Sequence, residues 1–449
     1  MKKTRYLTGI TTTGTPHLGN YAGSIRPSLA ASRRAEVESF YFLADYHGLI
    51  KCDDPARIQD STLKIAATWL AAGLDPERVV FYRQSDVPEI PELTWFLTCV
   101  AGKGLLNRAH AYKAAVDKNA ESGVDADDGV TAGLFMYPVL MAADILAFSA
   151  QKVPVGKDQI QHIEMARDIA ASFNHLYCAQ QPLLVQPEFE VDEQVALLPG
   201  LDGRKMSKSY GNTIPLFAPR EEMRKKIMSI QTDSKAPGEA KDTEGSALFQ
   251  IYRAFASPAQ TAAFAADFAA GIAWGAAKEK LFELIDAEIA PMRVRYAELI
   301  ANPQEVEAIL QKGAAKARAV AQPLVQAAKW AVGIRSLNYP VGQNAMFVTL
   351  PALQGYATGG QSQSAPPRFK QYREADGLFY FKLSNAGGEV LLQSTGFANP
   401  KDAAGVIAAL KTQGAAALAA KAAQIAAQGD ATAVQAALAE LQAAEMAKN

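Results

Sequence analysis

Tyr6-Leu7-Thr8-Gly9-Ile10-Thr11-Thr12-Thr13-Gly14-Thr15-Pro16-His17-Leu18-Gly19-Asn20-Tyr21 is the stretch that decides the fold class. Tyr6 to Ile10 has the aromatic and branched character of a short strand. Small and hydroxylated residues then fill a turn that leads into a helix near Leu18. Such a helix start aims free N–H groups and the positive end of its dipole at an anion. His17 and Asn20 add side-chain donors at the same place, and Gly19 permits close approach of a ligand. The spacing is neither Gly-x-Gly-x-x-Gly nor a Walker A loop, so it predicts no dinucleotide fingerprint and no P-loop. Taken alone, His17 could equally be an exposed turn residue.

Working outward, short strand-like runs alternate with longer helical ones, the pattern of a parallel α/β sheet. Ser39 to Leu43 and Arg78 to Tyr82 read as the second and third strands, and Pro182 to Val185 as a late one. Arg57 to Ala72 and Gln161 to Phe173 read as helices. From Pro219 to Ile334 apolar residues recur at helical spacing, notably over Glu221–Ile230, Ser246–Ala256 and Ala276–Ile300, which predicts a helical bundle. Gly359 to Pro367 has linker composition. Beyond it Phe379, Phe381 and Leu383 alternate, Asn385-Ala386-Gly387-Gly388 reads as a turn, and Val390 and Leu392 alternate again, so a small antiparallel sheet is expected. Asn399 to Gln413 reads as a helix, and the alanine-rich tail from Ala415 as further helix.

Composition sets the bounds. The 449 residues suffice for two or three domains, and 49% hydrophobic with 20% charged residues is the balance of an ordinary globular protein. The net charge of −1 gives no global basic excess, so any RNA contact must rest on local patches. Cys52, Cys99 and Cys178 are far apart and match neither metal-ligand spacing nor a disulfide framework, which fits a reducing cytosol. No apolar segment follows the charges of the N-terminus, and no apolar run is long enough to span a bilayer; the expectation is a cytoplasmic protein with no membrane partner.

Two further clusters carry chemistry. Lys205-Met206-Ser207-Lys208-Ser209 lies in a polar, glycine-flanked loop. Its two ammonium groups and neighbouring hydroxyls suit a mobile clamp on a polyphosphate, although a solvated charged loop has the same composition. Tyr137, Met141 and Asp144, spaced i, i+4 and i+7, share one helix face. A carboxylate among apolar groups needs a donor. An indole N–H would suit it, a phenol O–H would serve as well, and an ion pair inside an ordinary core helix is the plain alternative.

Pro16-His17-Leu18-Gly19-Asn20 resembles the His-Ile-Gly-His motif of the class I aminoacyl-tRNA synthetases, with Asn at the last place. Lys205 to Ser209 resembles their Lys-Met-Ser-Lys-Ser loop, and the two occur in the family's order. Val153-Pro154-Val155-Gly156-Lys157-Asp158-Gln159 resembles the Gly-x-Asp-Gln segment of the tryptophan and tyrosine branch, and Tyr137 to Leu146 resembles its tryptophan side. The resemblance covers about residues 4–335. It implies an α/β fold: a Rossmann-like parallel-sheet catalytic domain over residues 1–218, a helical anticodon-binding domain over 219–335, a linker over 336–367 and an accessory ββα-type module with a helical tail over 368–449.

The same resemblance implies an ATP-dependent tryptophan–tRNA ligase, with tyrosine as the alternative amino acid and a non-catalytic RNA-binding relative as the alternative role. His17, Asn20, Lys205 and Lys208 match catalytic positions. Thr11, Gly19, Gly156, Asp158, Met206, Ser207 and Ser209 match the ATP site. Leu7, His47, Tyr137, Met141, Asp144, Val153, Val155 and Gln159 match the tryptophan site, with Asp45 beside His47 at a strand end. Leu7 and Thr11 stand where some members carry Phe and Gln. ATP with Mg²⁺, L-tryptophan and tRNA(Trp) are the expected partners, with no prosthetic group and no zinc. A connective insertion over 89–133, containing Trp95, Phe96, Leu97 and Leu105, implies a homodimer, though core packing would explain those residues equally. Lys312, Lys316, Arg318 and Lys329 are candidate tRNA phosphate contacts or a solvated basic face.

Overall fold

The computed structural model describes residues 3–12, 14–50, 52–156, 159–190, 198–338, 367–374, 376–385 and 389–446. The chain forms two compact units, Met1–Leu353 and Gln354–Asn449. Each is taken by itself.

The first unit is built on five parallel strands: β1 Thr4–Ile10, β2 Val37–Leu43, β3 Val80–Arg83, β4 Lys152–Pro154 and β5 Glu188–Glu190. Their order across the sheet is β3-β2-β1-β4-β5, and every neighbouring pair is parallel. The order reverses direction at β1, which leaves a crevice beyond the carboxyl ends of the strands on either side of it. The turn containing His17 follows β1 directly, so the topology puts that turn at the crevice.

The first three strands lie where the sequence places them, within a residue or two at the ends. Pro182–Val185 is not a strand. The buried Asn174 side chain accepts from the backbone N–H groups of Leu183 and Leu184 and donates to the Leu184 carbonyl at 2.8–3.0 Å. A side chain thus takes the hydrogen bonds that a ladder would need, and the apolar signal of Leu184 reflects anchoring. The outer strand is the later, exposed Glu188–Glu190.

Helices cover both faces of the sheet. Pro55–Ala71 starts with Asp54 accepting from the N–H groups of Ala56 and Arg57 and with Pro55 in the first turn, where its missing N–H costs nothing. Leu18, Tyr21, Ile65 and Trp69 share one core with Phe249, Phe264 and Phe282 of the helical region. On the other side Leu7, Phe40, Phe148 and Ile163 share a core with Ala317 and Val325. Within residues 89–133, Phe96 and Leu97 are buried, whereas Trp95 is 66% exposed.

The long helix Pro303–Ala331 corrects one expectation. Lys312 pairs with Glu77 at 2.6 Å, Arg318 with Glu89 at 3.1 Å and Lys329 with Glu92 at 2.7 Å, while Lys316 donates to the Pro76 carbonyl at 3.0 Å. These cations were candidates for tRNA phosphates. Their charges instead meet carboxylates and a carbonyl of the α/β part and hold the helix against it. The helix packs flush because of Gly313: a Cβ there would sit 1.7 Å from the Phe81 carbonyl oxygen.

The second unit is a four-stranded antiparallel sheet of β6 Arg368–Arg373, β7 Phe379–Ser384, β8 Val390–Ser394 and β9 Ile425–Gln428, in that order. Phe381, Leu383 and Leu392 face the helices Pro400–Gln413 and Ala431–Met446 through Val406, Leu410, Val434 and Leu438. The expected alternation fails at β8. A register shift beside Leu383 and Ser384 turns Leu391 inward with Leu392 and leaves Val390 42% exposed. The tail is not continuous helix either. Gly414, at φ +58°, ends the helix Pro400–Gln413, and Ile425–Gln428 pairs with β8. Ala386 to Gly388 of the expected turn and residues 339–366 of the expected linker lie outside the described residues.

Gly313→Ala should destabilise the first unit by about 1–3 kcal/mol, because helix and strand must separate to admit the methyl group. A chemical denaturation midpoint equal to that of the parent chain would show that the contact is not tight.

Candidate active site

The two phosphate-type segments meet through the backbone. The Leu18 N–H donates to the Ile214 carbonyl at 3.0 Å, and the Leu216 N–H to the Pro16 carbonyl at 3.0 Å, with His17 and Pro215 bridged between them. The chain leaving the lysine loop is thereby laid along the turn after β1. Gly14, at φ +67°, completes the approach: a Cβ on it would lie 2.8 Å from the Lys208 Nζ. The second lysine of the loop therefore rests over the glycine turn.

His17 and Asn20 cap the helix start reciprocally. The His17 Nδ1 accepts from the Asn20 N–H at 3.3 Å, and the Asn20 Oδ1 accepts from the His17 N–H at 3.1 Å. With Nδ1 an acceptor, the neutral ring carries its proton on Nε2, the nitrogen pointing away from the cap. Burial first, and then the nearby Lys208 charge, push the His17 pKa down from 6.5 to about 4. Gly19 makes room for this ring, since a Cβ there would sit 3.0 Å from Nδ1. Burial, with Arg57 nearby, likewise lowers the Lys208 pKa.

The lysine loop is organised by Asn212, which is 3% exposed. Its Oδ1 accepts from the Ser207 N–H at 2.8 Å, and its Nδ2 donates to the Asp202 Oδ1 at 2.6 Å and the Lys205 carbonyl at 3.1 Å. Gly200 has no side chain because the Asn212 amide fills that space; a Cβ would lie 2.3 Å from it. Met206 is buried and its N–H donates to the Leu198 carbonyl, while Ser207 caps the short turn by accepting from the Ser209 N–H. Lys205 and Lys208 both keep solvent access, Lys208 with its ammonium against the Gly14 turn.

Behind this lies a buried polar cluster. Asp144 is fully buried on the helix Ala132–Leu146; its Oδ2 lies 2.8 Å from the His47 Nε2 and its Oδ1 accepts from the Gln84 Nε2 at 2.7 Å. Desolvation raises its pKa, and these two partners work against the rise. The His47 Nδ1 is buried without a hydrogen-bond partner among the described residues, as is the Thr12 Oγ1. Tyr137 stands edge-on to both His47 and His162, with its hydroxyl 3.5 Å from the Met141 sulfur and 3.2 Å from the Gln159 Oε1. That oxygen also meets the His162 Nδ1 at 3.1 Å. Asp45 accepts from the Ser85 N–H and from its hydroxyl, which fixes the loop after β3 against the end of β2.

The remaining expected residues are spread over this neighbourhood. Leu7 and Val153 are buried in the sheet's core, 1% and 4% exposed, and Val155 is packed at its margin. Thr11 and Gly156 are exposed at the ends of β1 and β4. Asp158 lies outside the described residues. Gln84, Ser85, His162 and Asn212 were missed. The first two follow β3 at a strand end, a position that marks them once the strand order is known. Among the described residues no cluster of three or more His, Cys, Asp or Glu is placed to hold a metal ion.

The family described as tRNA synthetases class I (W and Y) matches residues 1–289. The chain is 64% identical over 409 residues to the tryptophan–tRNA ligase of Xanthomonas axonopodis pv. citri, covering 91% of each. It is 59% identical over 403 residues to that of Pseudomonas aeruginosa, covering 90% of this chain and 87% of the relative. The crystal structure of tryptophanyl-tRNA synthetase from Campylobacter jejuni complexed with ADP and tryptophan superposes with a TM-score of 0.67 at 41% identity, over 73% of this chain and 99% of that one.

The depressed His17 pKa has a pH consequence. As pH falls below 6.5 the unfolded chain binds a proton that folded His17 refuses until about pH 4, so stability drops through that window and levels off below it. In a nuclear magnetic resonance titration the His17 ring signals should stay fixed between pH 5.5 and 8. A midpoint near the ordinary value of 6.5 would refute the neutral-ring assignment.

Proposed function

We infer that this chain, which belongs to the tryptophan and tyrosine branch of the class I aminoacyl-tRNA synthetases, works as a tryptophan–tRNA ligase through the groups just described. It is an aminoacyl-tRNA ligase: it activates L-tryptophan with ATP to tryptophanyl-adenylate and pyrophosphate, then passes the tryptophanyl group to tRNA(Trp). The observation that carries the site assignment is the backbone junction of residues 16–18 with 214–216, which brings His17 and Lys208 to one crevice.

In the first step a carboxylate oxygen of tryptophan attacks the α-phosphorus of ATP and the bond to the pyrophosphate oxygen breaks. The carboxylate is already ionised, so this step needs no general base. Positioning and charge neutralisation are the protein's task. The His17 Nε2–H is a neutral donor for a phosphate oxygen, held in that tautomer by Asn20. Lys205 and Lys208 meet the negative charge that grows on departing pyrophosphate. Mg²⁺ would arrive with ATP. Thr11, Gly19, Gly156 and Asp158 are assigned to the nucleotide.

Asp144 is assigned to the indole. Each of its oxygens keeps acceptor capacity after meeting His47 and Gln84, and an indole N–H would add a third donor once a neighbouring side chain moves aside, since the carboxylate has no exposed surface. Tyr137 and Gln159, braced by His162, are assigned to the amino acid's ammonium end, and Met141, Val153 and Val155 to the walls. The division at residues 218/219, a homodimer through the insertion with its exposed Trp95, and a cytoplasmic location complete the reading. Among the described residues no helix is long and apolar enough to cross a membrane.

Amino-acid-dependent ATP–pyrophosphate exchange tests this reading directly. Tryptophan alone should drive it; exchange driven by tyrosine, or by no amino acid, would sink the proposal. Lys208→Ala should lower the exchange rate by a hundredfold or so, on the order of 3 kcal/mol, with little effect on ground-state ATP binding. Equal losses in both would make Lys208 a plain binding residue. Asp144→Asn keeps the shape but removes the charge, and should raise the KM for tryptophan about tenfold or more with the KM for ATP nearly unchanged. Parallel rises in both constants would mark Asp144 as structural.

A further inference from the structure

The sheet of the second unit has one face against its helices and one face turned away. Partners across an antiparallel ladder share a face. Phe369 with Leu383 and Gln371 with Phe381 point toward the helices. The intervening pairs, Lys370 with Lys382 and Tyr372 with Tyr380, point the other way, with exposed Arg368 at the end of β6 opposite the buried Ser384. The tyrosine rings lie 5.9 Å apart at 23°, stacked and half-exposed, and the Lys382 ammonium sits 5.9 Å from the Tyr372 ring centre.

Two features of this face are unfavourable for the unit on its own. Lysines directly opposite on neighbouring strands repel, and among the described residues neither Lys370 nor Lys382 makes an ion pair. A pair of aromatic faces left half-open to water adds to this. Both features suit one kind of ligand. A polyanion neutralises the lysines, and flat bases stack on the rings. The face is also graded along the strands. Glu374 and Asp376 lie at the hairpin end, the tyrosines come next, then the lysines, then Arg368. Phosphates are directed to one end and bases to the middle. On the helix Pro303–Ala331, by contrast, the four candidate cations are already engaged.

We propose that this outward face, centred on Tyr372, Tyr380, Lys370 and Lys382, docks unpaired nucleotides of the RNA substrate. The proposal rests on the reading that the chain charges a tRNA. It gives the second unit a share in holding tRNA and no part in adenylate formation.

The test uses the full chain and a fluorescein-labelled tRNA(Trp) transcript, with affinity read by anisotropy at several salt concentrations. Tyr372→Leu with Tyr380→Leu should weaken binding about tenfold or more. Lys370→Gln with Lys382→Gln should weaken it and reduce the slope of log affinity against log salt by about 1.4. Tryptophan-dependent exchange should be unchanged in both. Failure of exchange in the parent chain would indict the ligase reading, whereas the binding comparison remains readable. Parent-like affinity and salt slope in both pairs would overturn the proposal, including in favour of a protein partner for this face. If circular dichroism shows that a variant has not folded, acetylation of the parent chain decides. Bound tRNA should shield Lys370 and Lys382, and equal labelling with and without tRNA would overturn the proposal.

Discussion

Two backbone hydrogen bonds join residues 16–18 to residues 214–216, and much of the site depends on them. The first segment is fixed by the central strand of the sheet, and the second leads out of the lysine loop. Backbone pairing of this kind is indifferent to side-chain identity, so it sets distance while leaving the loop's tip to its own residues. Gly14 and Gly19 then remove atoms where the two segments come closest. The result is a neutral imidazole beside an ammonium whose charge helps to keep the ring neutral. A phosphate placed there meets one neutral donor and one charged group.

A second constraint acts at the buried carboxylate. Asp144 has no water contact, so its charge is tolerable only because His47 and Gln84 supply donors. Those two come from the ends of β2 and β3, while Asp144 comes from a helix. The sheet order thus determines whether the carboxylate is satisfied. Among the described residues the His47 Nδ1 and the Thr12 Oγ1 have no hydrogen-bond partner, so the satisfaction is incomplete. An incomplete polar network beside a crevice is the arrangement expected where a ligand supplies the last partner.

Much of this was legible in the chain. Short runs of aromatic and branched residues announced β1 to β3, and the glycine-and-hydroxyl turn announced the crevice. The short β4 and β5 were hidden because three residues carry no period. Leu184 misled because one well-placed Asn174 buried it without a ladder. Lys312, Lys316, Arg318 and Lys329 looked like an open basic face because their acidic partners, Glu77, Glu89 and Glu92, are far away in sequence. At β8 a single extra residue inverted the alternation, which no local pattern reveals. Gln84 and Asn212 escaped for the same reason: an amide declares its role only through what surrounds it.

Asn212 has a consequence for motion. One side chain grips Asp202, Lys205 and Ser207, so the segment between them has little freedom to unravel. A segment pinned in this way moves as one stiff plate. Such a plate has already surrendered its disorder before nucleotide arrives. Closing over ATP would carry a small entropic penalty and return quickly, and the pace of the loop would be governed by its hinges.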